Sequence, residues 1–507
     1  MFKRIVAALI CVGMLLSAVG VAETGMSDAE IIDCTLDLFS LLAAVPRPSH
    51  HEEKIGAFFV EWVREQGLTP VQDKVGNVMF EVPATAGMED KALCILQGHM
   101  DMVVAVADGK EFDPQNDPIT VIYDRKNNTL TADGTSLGAD DGTGCVLMMA
   151  AALGKMAHGP LRCLVTVDEE DGMDGAQGMD PAWLDGASYL INIDNEAAGQ
   201  VLVSSAAGDF VNVSAAAEYA EAAGDLALTV ELSGLLGGHS GIDIDKGRLN
   251  ALIGLASFLK ALDESGVAYE LASFEGGTAR NAIPSKAVCA IVIRAEDRDA
   301  VNEAAETWFE ALKAAYAAEP DMAYTLTEAE GLGKTISETQ KDDAVRFVTE
   351  IINGVYTMSA DMEGLVESSS NLGVFNLNED GISGATYVRS SVAALQTEIL
   401  DAQTALAEAC GYAVSTDKAS DAWPVDPNSR MTELAQETYR ALTGKEIDVC
   451  AIHAGLECGT FKAMNPALDM ISIGPDIHDP HSIKETLYLD SMPETRRMVE
   501  GILARLG

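Results

Sequence analysis

Residues 164–172 read LVTVDEEDG. Leu164 to Val167 have the composition of a buried strand, and four carboxylates follow without a break: Asp168, Glu169, Glu170 and Asp171. Crowded like charges each raise the cost of ionising the next. A chain that sets them at the end of a core strand needs positive charge there. Two other runs share the design. CILQGHMDMV (94–103) ends in His99 and Asp101, and LINIDNE (190–196) delivers Asp194. Short, almost wholly apolar runs of this kind fit central strands covered on both faces.

Two further segments carry ligand-type side chains. GTSLGADDGTG (134–144) places Asp140 and Asp141 in a glycine-rich loop before a helix expected at 142–156. ISIGPDIHDPHS (471–482) follows another apolar run and carries His478 and His481. In open α/β sheets the ligand site lies beyond the carboxyl ends of the strands, so these distant groups can converge. Clustered carboxylates stay ionised when divalent cations lie among them. Imidazole and carboxylate ligands without thiolate suit zinc, with manganese or cobalt as alternatives. Each motif alone has an ordinary reading: a solvated acidic turn, a helix cap for Asp140, a surface imidazole for His481. Their joint order and texture argue for a site holding two cations.

At 507 residues the chain is long enough for two domains. Helical stretches, such as 53–66, alternate with short strands, which predicts an α/β fold. Near residue 208 the texture changes to alternating strands and exposed helices, with long helices expected at about 245–265 and 298–319. Core-like texture returns after the polar connection at 412–428. The expected organisation is a catalytic domain in two parts, 28–207 and 419–507, around an inserted domain at 208–418 with helices on one face of its sheet.

A formal charge of -46 argues against nucleic-acid and anionic-membrane partners, which require basic surface. Lys3 and Arg4 precede an apolar run that ends near Ala22, the pattern of a secretory signal peptide over residues 1–22. That pattern predicts a secreted or extracytoplasmic protein, free of the membrane after cleavage; an uncleaved anchor is the competing reading. Eight of the nine cysteines lie beyond this segment. Cys94, Cys163 and Cys289 sit in apolar runs, as core thiols do. One or two disulfides are left open.

The motifs GHMD, LGADDGTG, TVDEEDGMDGA, NIDNE, GGHSGIDI, RNAIP, SSSNLGV, HAGLECG and DIHDPHS, in this order, resemble the co-catalytic zinc peptidases. That family includes aminoacylases, glutamate carboxypeptidases and dipeptidases, and the branch most similar here is the aminoacyl-histidine dipeptidases. The resemblance spans about residues 31–500. It implies an α/β catalytic domain with a central mixed sheet flanked by helices, and an inserted α+β lid and dimerisation domain. It also implies a pair of divalent cations, most simply zinc. His99 and Asp194 would complete one metal, Glu170 and His481 the other, with Asp140 bridging. Glu169 would be the general base and proton donor, and Asp101 would orient His99. The adjacent Glu169 and Glu170 would then require a backbone turn, since on an extended strand they point opposite ways.

In the inserted domain the resemblance gives His239 and Asn281 to the oxyanion and Arg389 to the substrate carboxylate. Glu457 matches the branch and is assigned to the substrate's amino group. The implied activity is hydrolysis of dipeptides, Xaa-His or broader. An N-acyl amino acid deacylase or exo-carboxypeptidase of the same fold is the alternative, and a peptide- or metal-binding protein without catalysis is the alternative of another class. Relatives imply a homodimer through the inserted domain. Asp141 departs from the family, where Asn is common, and adds negative charge beside the metals.

Overall fold

The computed structural model describes residues 25–329, 333–360, 362 and 364–507. Two large sheets organise it. The first has eight strands in the spatial order 70–72, 78–82, 161–166, 94–99, 189–192, 469–472, 200–205 and 448–452. It is mixed. Strand Cys94–His99 pairs in parallel with Leu161–Thr166 on one side and Tyr189–Asn192 on the other, and Tyr189–Asn192 pairs in parallel with Asp469–Ser472. The carboxyl ends of these four strands therefore share one edge.

Strand Cys94–His99 is buried at every position. Cys94 and Leu96 join the apolar cluster formed with helices Asp28–Ala43, Glu53–Glu65 and Ala139–Ala152. Ile95 faces a second cluster that includes Trp183, Trp423 and Phe461. Coverage on both faces explains why these strands read as continuous apolar runs.

The second sheet is antiparallel, has nine strands, and uses strands lying between residues 207 and 420. Strand Leu226–Ser233 alternates buried and half-buried positions, the pattern of a sheet with one face in a core. Helices Ala251–Ser265, Arg298–Ala315 and Glu338–Glu350 contribute to that core. The first sheet draws its strands from sequence on either side of this block.

Some boundaries differ from expectation. The helix expected at 245–265 begins at Ala251, because the Asn250 side chain accepts from the amides of Leu252 and Ile253 and caps it there. The helix expected at 298–319 ends at Ala315. The helix expected at 142–156 begins earlier, at Ala139, and so takes Asp140 and Asp141 into its first turn. A small four-stranded sheet was not expected. It joins Ile477–His478 and Thr486–Tyr488 to Thr129–Ala132 and Val121–Asp124, and so docks the His481 turn beside the loop bearing Asp140. All eight cysteines from Cys34 onward are free thiols. Among the described residues no helix is long and apolar enough to cross a membrane.

Candidate metal centre

The parallel strands deliver their terminal residues to one place. His99 Nε2 lies 3.0 Å from Asp140 Oδ1 and 3.5 Å from Asp194 Oδ1. His481 Nε2 lies 3.0 Å from Asp140 Oδ2 and 2.7 Å from Glu170 Oε2. Asp140 thus stands between two imidazoles, one on each of its oxygens, with Asp194 beside the first and Glu170 beside the second. Ligand atoms of His99, Glu169 and Asp194 all lie within 4.8 Å of one another, as do those of His99, Asp140 and Glu170.

Strand Leu161–Thr166 gives way at Asp168, whose φ of 52° is left-handed. This is the turn that adjacent, differently aimed glutamates require. Asp101 holds it. Its Oδ1 accepts from the Glu169 amide at 3.1 Å and its Oδ2 from the Glu170 amide at 3.4 Å. Asp101 Oδ1 also faces His99 Nδ1 at 3.3 Å, while the Ser49 hydroxyl donates to Oδ2 at 2.8 Å. One fully buried carboxylate thus meets the amides of both glutamates and stands beside the His99 imidazole.

Asp140 and Asp141 have non-helical dihedral angles inside the first turn of helix Ala139–Ala152. Asp141 Oδ1 accepts from the Gly144 amide at 2.8 Å. Its other oxygen occupies space left by two glycines: a Cβ on Gly98 or on Gly144 would collide with Asp141 Oδ2. Gly98→Ala is therefore expected to destabilise the fold by about 1–3 kcal/mol, as overpacking does. It should also weaken cation binding by displacing the Asp140 turn. Chemical denaturation of the apo protein and cation titration measure the two effects.

The charges are out of balance. Burial pushes the Asp194 carboxyl up to about 7, against the pull of His99. Burial and then the Asp194 charge hold Glu169 well above the usual carboxylate range. Burial and Asp140 raise Glu170, opposed by its bond to His481. His481 is pushed up to about 11 by its bonds to Asp140 and Glu170. Burial opposes ionisation of Asp140 too, yet the bonds from His481 and His99 hold it below the usual range. The pocket holds more carboxylate than two imidazoles neutralise, the deficit that divalent cations fill. The donors fit such ions: two imidazole nitrogens and three carboxylates converge without thiolate. Glu170 Oε1 is also buried without a hydrogen-bond partner.

A second group lies in the other sheet. His239 Nδ1 accepts from the amides of Gly241 and Ile242 at 3.2 and 3.1 Å, which places its proton on Nε2. Burial and then the Arg389 charge depress its pKa to about 4, so it is neutral near pH 7. Arg389 Nη2 lies 3.4 Å from that Nε2, and Arg389 Nε is buried without a partner. Two donors side by side suit a shared anionic acceptor. Asn281 is exposed, and its backbone oxygen accepts from the Ser240 amide beside His239. Glu457 is fully buried. Its Oε2 accepts from Gln97 at 2.5 Å and Thr166 at 2.8 Å, and its Oε1 has no partner.

Several contributors escaped sequence reading. Buried Arg47 donates to the carbonyls of Met100, Asp101 and Gly138. Glu52 accepts from the Asp168 amide at 3.2 Å, and burial followed by the Asp101 charge raises it to about 7. His453 meets the Ser369 hydroxyl at 2.7 Å beside Arg389. Glu485 receives four backbone amides. His478 is exposed, and its ring lies 4.6 Å from that of Tyr488 at a tilt of 55°.

A mixed sheet whose strand ends gather paired imidazoles and carboxylates defines a class, and the comparison bears it out: residues 95–505 match peptidase family M20/M25/M40, to which the chain belongs. Over 463 residues it is 36% identical to the cytosol non-specific dipeptidase of Escherichia coli K12, covering 90% of this chain and 94% of that protein. The crystal structure of aminoacylhistidine dipeptidase from Vibrio alginolyticus matches with a TM-score of 0.84 at 32% identity, covering 96% of this chain and 99% of that one. A Staphylococcus aureus tripeptidase shares the fold at a TM-score of 0.54 and 15% identity, with 94% and 99% covered.

The E. coli relative corrects the expected secreted or extracytoplasmic location, since that protein is by name one of the cytosol. The signal-peptide and anchor readings of residues 1–22 fall outside the described residues.

Proposed function

We propose that this chain is a metal-dependent dipeptidase that uses a pair of divalent cations, most simply zinc. The observation that carries this reading is Asp140, with the His99 imidazole on one oxygen and the His481 imidazole on the other, Asp194 against His99 and Glu170 against His481. The names of the E. coli and Vibrio relatives point to the same substrate class. His99, Asp140, Glu170, Asp194 and His481 would hold the cations. Bound there, the cations supply Lewis acidity for a water and for the scissile carbonyl.

Glu169 takes the proton of the attacking water and returns it to the leaving amine. Neutral His239, with its proton on Nε2, donates to the oxygen that gains charge, and Asn281 lies beside it. Arg389 takes the substrate carboxylate. The free oxygen of Glu457 takes the substrate's ammonium group. With residues drawn from both sheets, closing over the substrate would exclude water.

The test is a substrate panel on protein stripped by chelator and reloaded with zinc, manganese or cobalt. Ala-His should be hydrolysed and N-acetyl-His should not, because the acetylated amine cannot pair with a carboxylate. Cleavage of N-acetyl-His alone would establish the deacylase reading instead. No turnover with any cation, although cations bind, would establish the binding-only reading.

A further inference from the structure

The first turn of helix Ala139–Ala152 is irregular: Asp140 and Asp141 are non-helical, and Asp141 Oδ1 caps the regular helix beyond them through the Gly144 amide. The amides before that cap, from Leu137 to Asp140, span a left-handed Gly138 with no side chain to accept them. A carboxylate from far along the chain does so. Glu485 Oε2 accepts from the amides of Leu137 at 2.7 Å and Gly138 at 2.8 Å, and its Oε1 from Ala139 at 2.7 Å and Asp140 at 3.3 Å. The residue is 3% exposed. Among the described residues no lysine or arginine pairs with it, so four backbone amides of the loop leading into the helix are its partners.

Placement gives this grip its meaning. The last of the four amides belongs to Asp140. Glu485 lies four residues after His481, and the turn between them is tight. His481 has a φ of 58°, the Ser482 hydroxyl donates to the Asp479 carbonyl at 2.8 Å, and the Glu485 amide donates to the Ser482 carbonyl at 3.2 Å. One side chain therefore staples the turn that carries His481 to the turn that carries Asp140. Arg47 holds the same loop from the other side, donating to the Gly138 carbonyl and to the carbonyls that flank Asp101.

We infer that Glu485 is a positioning residue: its carboxylate sets the Asp140 side chain against His481 and so fixes the spacing of the cation pair. This rests on the reading of Asp140 and His481 as ligands. Glutamine is the sharp substitution, because its Nε2 would present donors to amides that are themselves donors. Aspartate keeps the charge but falls short of the loop.

The experiment measures cation binding to apo protein by calorimetric titration and metal analysis, beside apo melting temperature and kcat and KM for Ala-His. Glu485→Gln should weaken binding of at least one cation by about 10–100-fold, the usual cost of removing a group that orients a metal ligand. Activity should fall through kcat and recover in part at high cation concentration. Glu485→Asp should fall between, and it carries the same test if the glutamine variant does not fold. A lowered apo melting temperature with unchanged cation affinity in the folded variants would assign Glu485 to fold stability alone and overturn the inference. The two readings fail differently: wild-type protein that binds no cation sinks the ligand reading, whereas equal affinity in wild type and variants sinks only this one.

Discussion

Glu169→Gln is expected to cut kcat for Ala-His by about 10²–10⁴-fold, the range that general acid–base groups contribute, while both cations remain bound. The amide is isosteric but cannot accept the proton of the attacking water. The Glu169 backbone is held by Asp101 through its amide, not through its side chain, so the turn should survive. The proposed ligands His99, Asp140, Glu170, Asp194 and His481 are untouched by the change. Metal analysis alongside steady-state kinetics makes the check. A variant that loses its cations would show Glu169 to be a ligand, and one with full activity would remove it from the reaction.

Asp140→Ala should do more damage of a different kind. Each Asp140 oxygen faces its own imidazole, at 3.0 Å in both cases. Deleting it removes a donor from both cation positions together. The loss of affinity should exceed the roughly 10–100-fold that follows removal of a group acting on a ligand from outside. Activity should disappear with the cations rather than with the chemistry. The apo variant should nonetheless fold, at some cost in stability: Glu170 and Asp194 lose a like charge, but His99 and His481 lose the carboxylate that pairs with both. Calorimetric titration with zinc and a thermal melt of the apo protein decide it. Retention of two cations at wild-type affinity would end the bridging assignment.

The groups that were readable in the sequence are those whose side chains act directly and sit where an apolar run stops. His99, Glu169, Glu170 and Asp194 are of this kind, and the parallel pairing of their strands brings them to one edge. Glu485 and Arg47 act on backbone amides and carbonyls. Nothing in a sequence marks which amides will lack partners, so such residues stay hidden. Asp141 read as a charge added near the metals, whereas its placement depends on two glycines, one in a strand and one in a helix.

The second sheet was harder to parse for another reason. Strand Val366–Asn378 buries Ser368, Ser369, Ser370 and Asn371, so hydrophobic periodicity fails in its core. The N-terminus misled because a basic pair before an apolar run is a short pattern carrying little information about destination.

The block of sequence that builds the second sheet also sets a schedule for synthesis. Asp194 is made before it and His481 after it, with roughly three hundred residues between them. At about 5–20 residues per second, that interval is tens of seconds. Throughout it, a growing chain carries His99, Asp140, Glu169 and Asp194 but lacks the imidazole that faces the second Asp140 oxygen. The nascent chain therefore cannot assemble the full set of facing groups until the turn bearing His481 has left the ribosome.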